Sequence, residues 1–217
     1  MSEPAPDTPW PARRFSQAVA EGDGISIIPI VRGETEALVA AAEAAGAEAI
    51  VVESIADLRV ARGVTDIPVV LRPEDVTHAV LDEARAVGAD GVALRVAGLV
   101  DGNETAHWHA IKIGLDCALC VSDEEELQDA LERLEPEILV AIPRARGVGN
   151  PFTRTLALLP DIPVGKLVIV EVEPNGRDDV ASLERAGVDA LVIEAPSDAD
   201  ALSRVVHELI DAEHPLD

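Results

Sequence analysis

Eight short apolar runs, separated by stretches of helical spacing, recur along nearly the whole 217-residue chain and sharply limit the folds open to it. The runs lie at 25–32, 47–53, 67–72, 91–95, 117–122, 138–144, 166–173 and 190–194, and each reads as a strand. Between them, 35–45 is alanine-rich, and 73–87 spaces Val76, Val80 and Ala84 as one helix face does. Leu127, Leu131 and Leu134 do the same in 123–134, and 178–186 and 198–210 follow the rule. A short helix at 12–21, carrying Phe15 and Val19, precedes the first strand. Similar joints recur ahead of strands: AGAE at 45–48, VGAD at 87–90 and AGVD at 186–189. In each, glycine can end a helix in the left-handed conformation before a new strand begins.

Strands alternating with helices of this length predict parallel βαβ units, and eight of them close a barrel. The fold expected is α/β, a (βα)8 TIM barrel forming a single domain over 12–217, with a flexible lead-in at 1–11. An open doubly wound sheet is the alternative, but no glycine-rich phosphate fingerprint follows the first strand. Aromatic residues are only 2% of the chain, so the core must be built from Ala, Val, Ile and Leu, which suits buried parallel strands.

The charge narrows the partners. Forty-one acidic residues face 17 basic ones, a formal net charge of -24, and only Lys112 and Lys166 among the basic residues are lysines. Such a field repels nucleic acid and anionic membrane surfaces. The acids are spread along the chain rather than gathered in a tail, a pattern that fits a salt-rich cytoplasm in which charge is screened over a few ångströms. A dedicated cation-binding role is the competing explanation. No apolar span of about 18 residues is present and the first eleven residues lack signal-peptide character, so a soluble, cytoplasmic protein is expected.

Cys117 and Cys120 form a C-x-x-C, with His107 and His109 just upstream. On a strand, positions three apart face opposite sides, so a shared metal or disulfide is not expected. No other metal cluster, nucleophilic triad or dinucleotide motif emerges, and no cofactor is expected. Trp10 and Trp108 read as packing residues rather than stacking platforms, and His78 as an exposed helix residue.

Several stretches resemble the indole-3-glycerol phosphate synthase family, the ring-closing lyases of tryptophan biosynthesis. Residues 83–99, EARAVGADGVALRVAGL, resemble the family's fourth-strand region, E-A-R-x-x-G-A-D-x-x-L-L-I-V-A-A-L. Residues 114–131, GLDCALCVSDEEELQDAL, resemble G-L-x-x-L-V-E-V-H-D-E-x-E-L-x-x-A-L. Residues 27–32 stand for I-I-A-E-V-K, 68–72 for P-V-L-R-K, and 171–180 for E-S-G-I-x-T-x-x-D-V. Each match is weak alone; their order, from about Phe15 to the end, carries the resemblance.

The departures fall on the positions that the resemblance makes catalytic. The first-strand Glu and Lys, the third-strand Lys and the fifth-strand Glu correspond to Ile30, Arg32, Arg72 and Cys120. Isoleucine takes no proton, and arginine stays charged and is a poor general acid. The paired Asn residues of the sixth strand fall on Pro143 and Arg144; the seventh-strand Glu persists as Glu171. The phosphate-binding segments of the family align with 34–36, 172–174 and 193–195, where acidic residues and a proline replace small residues. These would repel a phosphate or deny it donors.

Arg32, Arg72, Arg95 and Arg144, with Arg146 in the following loop, all sit at predicted strand C-terminal ends, as do Glu53, Glu171, Glu173 and Glu194. In a barrel these ends share one mouth. Two readings stand. In one, guanidinium forks hold a small anionic metabolite; in the other, the arginines pair with the glutamates and fill a disused site. The functions expected follow from these. One is a divergent, non-synthase barrel that binds a small anion or acts as a regulatory or structural paralogue. Another is an enzyme of altered chemistry, lyase or isomerase, with Glu171 as acid/base and Arg32 and Arg72 steadying an anionic intermediate. The third is a residual synthase. The sequence leaves the oligomeric state open.

Overall fold

A computed structural model describes residues 14–22, 24–97, 104–142 and 150–210. The expected lead-in at 1–11, Trp10, Pro143, Arg144 and Arg146 lie outside the described residues.

After helix α1 (Arg14–Glu21), strand and helix alternate as β1 (Ser26–Ile30), α2 (Thr35–Ala44), β2 (Ile50–Val52), α3 (Ile55–Val64), β3 (Val69–Leu71) and α4 (His78–Val87). The alternation continues through β4 (Gly91–Arg95), α5 (Glu104–Lys112), β5 (Asp116–Val121), α6 (Glu124–Arg133) and β6 (Ile138–Ala141). It ends with α7 (Pro151–Leu158), β7 (Leu167–Glu171), α8 (Arg177–Arg185), β8 (Ala190–Glu194) and α9 (Ala199–Ile210). The eight strands are parallel to their neighbours, and β8 returns to β1, with Ser26 opposite Ala190 and Ile30 opposite Glu194, closing the barrel. Among the described residues no helix is long and apolar enough to cross a membrane.

Period-two alternation splits the apolar residues into two cores. Ile28, Ile30, Val51, Val70, Ala118, Val140, Ile169 and Val192 fill the barrel interior, while Ile27, Val31, Val52, Leu71 and Leu119 meet the helices outside. Phe15 and Val19 of α1 belong to the inner set, so this helix plugs the N-terminal end of the barrel. Asp116, buried at the start of β5, accepts the Ser16 N–H at 2.8 Å and holds the plug in place. Gly91 makes the plug possible, because a Cβ there would lie 2.9 Å from the Asp116 carbonyl oxygen and 3.5 Å from the Phe15 ring.

The recurrent joints do two jobs. Gly46, Gly88 and Gly187 take φ of 94°, 107° and 83°, as helix-ending glycines should. The acid two residues further on then ties down a neighbouring strand. Asp90 accepts the Val69 N–H at 2.9 Å, and Asp189 accepts the Val168 N–H at 2.7 Å. At the first joint Glu48 accepts from the Ser26 hydroxyl.

Some sequence-predicted bounds shift. The helix expected from 73 begins at His78, because Thr77 accepts the Val80 N–H and sets the first turn there. Three helices escaped the sequence reading, α3, α5 and α7. The described α3 buries only Leu58 and Ala61 along its length, too thin a stripe to show as periodicity. The loop expected at 145–152 gives way to helix at Pro151, where Asn150 caps Phe152 and proline occupies the first turn. Trp108 is corrected as well: its side chain is 48% exposed rather than packed.

Candidate functional site

The mouth is built by strand parity. In β1, Ile28 and Ile30 point inward, so Arg32, next in the same phase, also faces the axis. The same count brings Glu53 from Val51, Arg72 from Val70, Arg95 from Ala93, Glu171 from Ile169 and Glu194 from Val192 to one rim.

There the charges join in a chain. Arg32 Nε donates to Glu53 at 2.5 Å and its Nη2 donates to the other Glu53 oxygen at 3.0 Å, a two-point fork. Its Nη1 reaches Glu194. Arg72 also holds Glu53, through Nη2 at 2.8 Å and Nε at 3.2 Å, and its Nη1 donates to Glu171 at 2.6 Å. The network is graded in depth: the Arg72 side chain is 12% exposed and Glu171 22%, whereas Arg32 and Glu194 are about half exposed.

Electrostatics follow that grading. The Arg32 hydrogen bond, joined by those from Arg72, overcomes burial and lowers the Glu53 carboxyl to about 2. Arg32 and Arg72 are both held firmly charged; for Arg72, burial opposes the charge but Glu171 and Glu53 outweigh it. Glu171 moves the other way. Burial pushes its carboxyl above the usual carboxylate range, and its contact with Arg72 offsets only part of that. The difference lies in partner number: Arg72 answers two carboxylates, whereas Glu171 shares its single guanidinium with Glu53. Cys120, fully buried beneath the rim, has its thiol pushed up to about 12 by burial and then by the Glu171 charge, so it stands as a neutral thiol.

Two sequence-predicted residues remain outside the chain of bridges. Glu173 is exposed and accepts the backbone N–H of Glu194 at 2.9 Å. It thereby occupies an amide in one of the segments that the resemblance assigns to phosphate. Arg95 is exposed at the end of β4 and makes no hydrogen bond or ion pair among the described residues, although its charge is felt by Glu171 and Cys120. Under the rim, Arg72, Cys120 and Glu171 cover a cavity of about 20 Å³, otherwise walled by apolar residues, which is room for about one water.

The C-x-x-C divides as strand geometry requires, Cys117 to the outer core and Cys120 to the inner. Buried His107 spans Cys117 Sγ at 3.3 Å and the Leu134 carbonyl at 3.0 Å. Burial lowers the His107 pKa and raises that of Cys117, which assigns a neutral ring donating through Nε2 and accepting the thiol proton at Nδ1. Among the described residues no group of His, Cys, Asp or Glu could hold a metal ion. His78 is exposed, as expected, and stacks on His109 with centroids 4.3 Å apart.

No protein-family model matches the chain. Its curated relatives include the indole-3-glycerol phosphate synthase of Variovorax paradoxus, 35% identical over 138 residues, 63% of this chain and 52% of the relative. That of Acidithiobacillus ferrooxidans is 36% identical over the same shares, and that of a Nocardioides species 34% over 149 residues, 64% and 54%. The chain spans about half the length of the curated relatives it matches. Among solved structures, a mutant tryptophan synthase alpha-subunit from Pyrococcus furiosus superposes with a TM-score of 0.68 at 15% identity, covering 86% of this chain and 98% of that one. N-acetylmannosamine-6-phosphate 2-epimerase from Clostridium perfringens gives 0.65 at 16%, covering 79% and 86%. These structures share the (βα)8 fold.

Proposed function

We propose that this relative of the indole-3-glycerol phosphate synthases does not close the indole ring, and that its mouth holds a small anionic metabolite by carboxylate exchange. The observation that carries the reading is the Arg32–Glu53–Arg72–Glu171 chain, which stands where the family resemblance places proton carriers. Ring closure needs groups that give and take protons near neutral pH. Ile30 is fully buried and apolar, Cys120 holds its proton, and Arg32 and Arg72 hold theirs. Among the described positions that the resemblance makes catalytic, Glu171 alone has the chemistry of an acid or base.

The same chain supplies the binding geometry. Arg32 already grips Glu53 through two parallel hydrogen bonds, which is how arginine recognises a carboxylate or phosphate, and Arg72 holds one Glu53 oxygen together with Glu171. A ligand anion entering from solvent takes the place of Glu194 on Arg32, the more exposed end, and meets Arg95 at the rim. Arg144 and Arg146 are proposed to contribute from the sixth-strand end, and Glu173 to border the site. A metabolite sensor or regulatory paralogue is the role that fits such a mouth.

A second reading rests on Glu171. Its raised carboxyl beside a charged Arg72 is an acid–base pair of the kind that carries lyase or isomerase chemistry. Two measurements separate the readings. Thermal shifts with a panel of aromatic carboxylates and sugar phosphates are expected to show saturable stabilisation that Arg32→Ala and Arg95→Ala abolish. The synthase substrate is expected to show no turnover; turnover lost in Glu171→Gln would overturn the proposal in favour of catalysis.

A further inference from the structure

At the opposite end of the barrel from the mouth lies a cavity of about 420 Å³, within the size range of small-molecule sites. It opens beside the C-terminal half of α5 and the N-terminal ends of β5 and β6. Trp108, Ile111 and Ile138 give it apolar surface, and Glu135 and Glu137 give it carboxylates. We propose that this cavity binds a small organic ammonium ion, with Trp108 as its platform.

Three observations converge on that chemistry. Trp108 leaves about half of its surface in water, an unusual exposure for an indole in a chain with two tryptophans and no tyrosine. Its ring is braced edge-on by His107, centroids 4.8 Å apart, and His107 is itself fixed by Cys117 and the Leu134 carbonyl. The indole is therefore a held surface beside a cavity, the arrangement that attracts a cation over an aromatic face.

The second observation is the field. α5 and α6 both end beside this cavity, and helix C-termini carry partial negative charge. Glu135 and Glu137 add full charges on the same side. The third is Glu135 itself, which follows the α6 cap with a φ of 46°. That left-handed position is ordinarily given to glycine. Here the chain places an exposed carboxylate at the cavity wall instead. An ammonium ion with a compact apolar body satisfies the three together: charge to Glu135, face to Trp108, methyl groups to Ile111 and Ile138.

The test uses choline chloride and 3,3-dimethylbutan-1-ol, which has the same shape without the charge. In a Trp10→Phe background Trp108 is the single indole, and its emission is expected to respond saturably to choline, half-maximal at or below about 1 mM. The alcohol is expected to bind at least about tenfold more weakly, and Glu135→Gln to weaken choline about fivefold without moving the Tm. Glu135→Gly separates binding from folding, since it relieves the left-handed backbone. It is expected to raise the Tm while weakening choline as Glu135→Gln does. No saturable response beyond that of equal sodium chloride, equal response to the alcohol, or unchanged affinity in Glu135→Gln each overturns the proposal.

Discussion

Arg72 and Glu171 stand on β3 and β7, diametrically opposed strands, and meet across the barrel axis with Nη1 and Oε2 2.6 Å apart. Three strands lie between them in either direction around the barrel, so a single side-chain pair spans its width. Because both are largely buried and Arg72 also holds Glu53, the bridge forms a lid over the apolar interior. A substrate entering the barrel axis would have to displace it.

Removing one half of that bridge is expected to cost more than removing both. Arg72→Ala leaves Glu171 buried beside an empty position, and about 1–3 kcal/mol of stability should be lost; deeper pairs lose 3–5. Arg72→Met combined with Glu171→Leu replaces the pair by apolar volume and is expected to be neutral or stabilising. Urea unfolding of the single and double variants gives the comparison. A double variant no more stable than Arg72→Ala would show that the bridge itself holds the fold.

Acid should protonate Glu171 before Glu53, and the two act on stability with opposite signs. Glu53 is lowered from 4.5 to about 2 in the folded chain, so its stabilisation is complete above about 4.5 and is lost as pH falls towards 2. Glu171 has the opposite sign: its raised carboxyl favours the folded state below the ordinary carboxylate value, and that contribution fades as pH rises through the shifted value. Glu53→Gln is therefore expected to flatten the fall in stability between pH 4.5 and 2. Glu171→Gln should leave that fall in place. Equal slopes in wild type and Glu53→Gln would contradict the Arg32–Glu53–Arg72 linkage.

Much of this was legible in the sequence because barrels are written in period two and period 3.6. The eight apolar runs and the glycine joints marked the strands, and the charges at the strand C-terminal ends pointed to one shared mouth. Which carboxylate meets which guanidinium was not legible. Arg72 pairs with Glu171, 99 residues away, and that depends on barrel closure and side-chain length rather than on local pattern. The exposure of Trp108 was not legible because α5 itself was not: with no helical spacing read at 104–112, nothing set the face that the indole presents.

The two cysteines are expected to be silent in the native protein. Thiolate is the reactive form, and burial raises both thiols, Cys120 to about 12 and Cys117 further. Iodoacetamide at pH 8 should leave both unmodified in the folded chain and label both in urea, read by intact mass. Rapid labelling of Cys120 in the native state would mean that the mouth opens beyond the one-water cavity beneath Arg72.

Salt should stabilise this chain, and the reason can be tested at chosen residues. With a net charge of -24, the folded state brings carboxylates together, and their repulsion reaches about 10 Å at 0.1 M salt but only about 3 Å at 1 M. Glu132 and Glu184 are the sharpest cases, since both are exposed in the last turns of α6 and α8, where a carboxylate also opposes the helix dipole. Glu132→Lys and Glu184→Lys are each expected to add about 0.3–1 kcal/mol in dilute buffer. Most of that gain should vanish in molar potassium chloride, while the wild-type Tm climbs towards the variants. A wild-type Tm indifferent to salt would remove self-repulsion as the cost of this acidic surface. A gain that persisted in molar salt would assign the effect to local helix propensity.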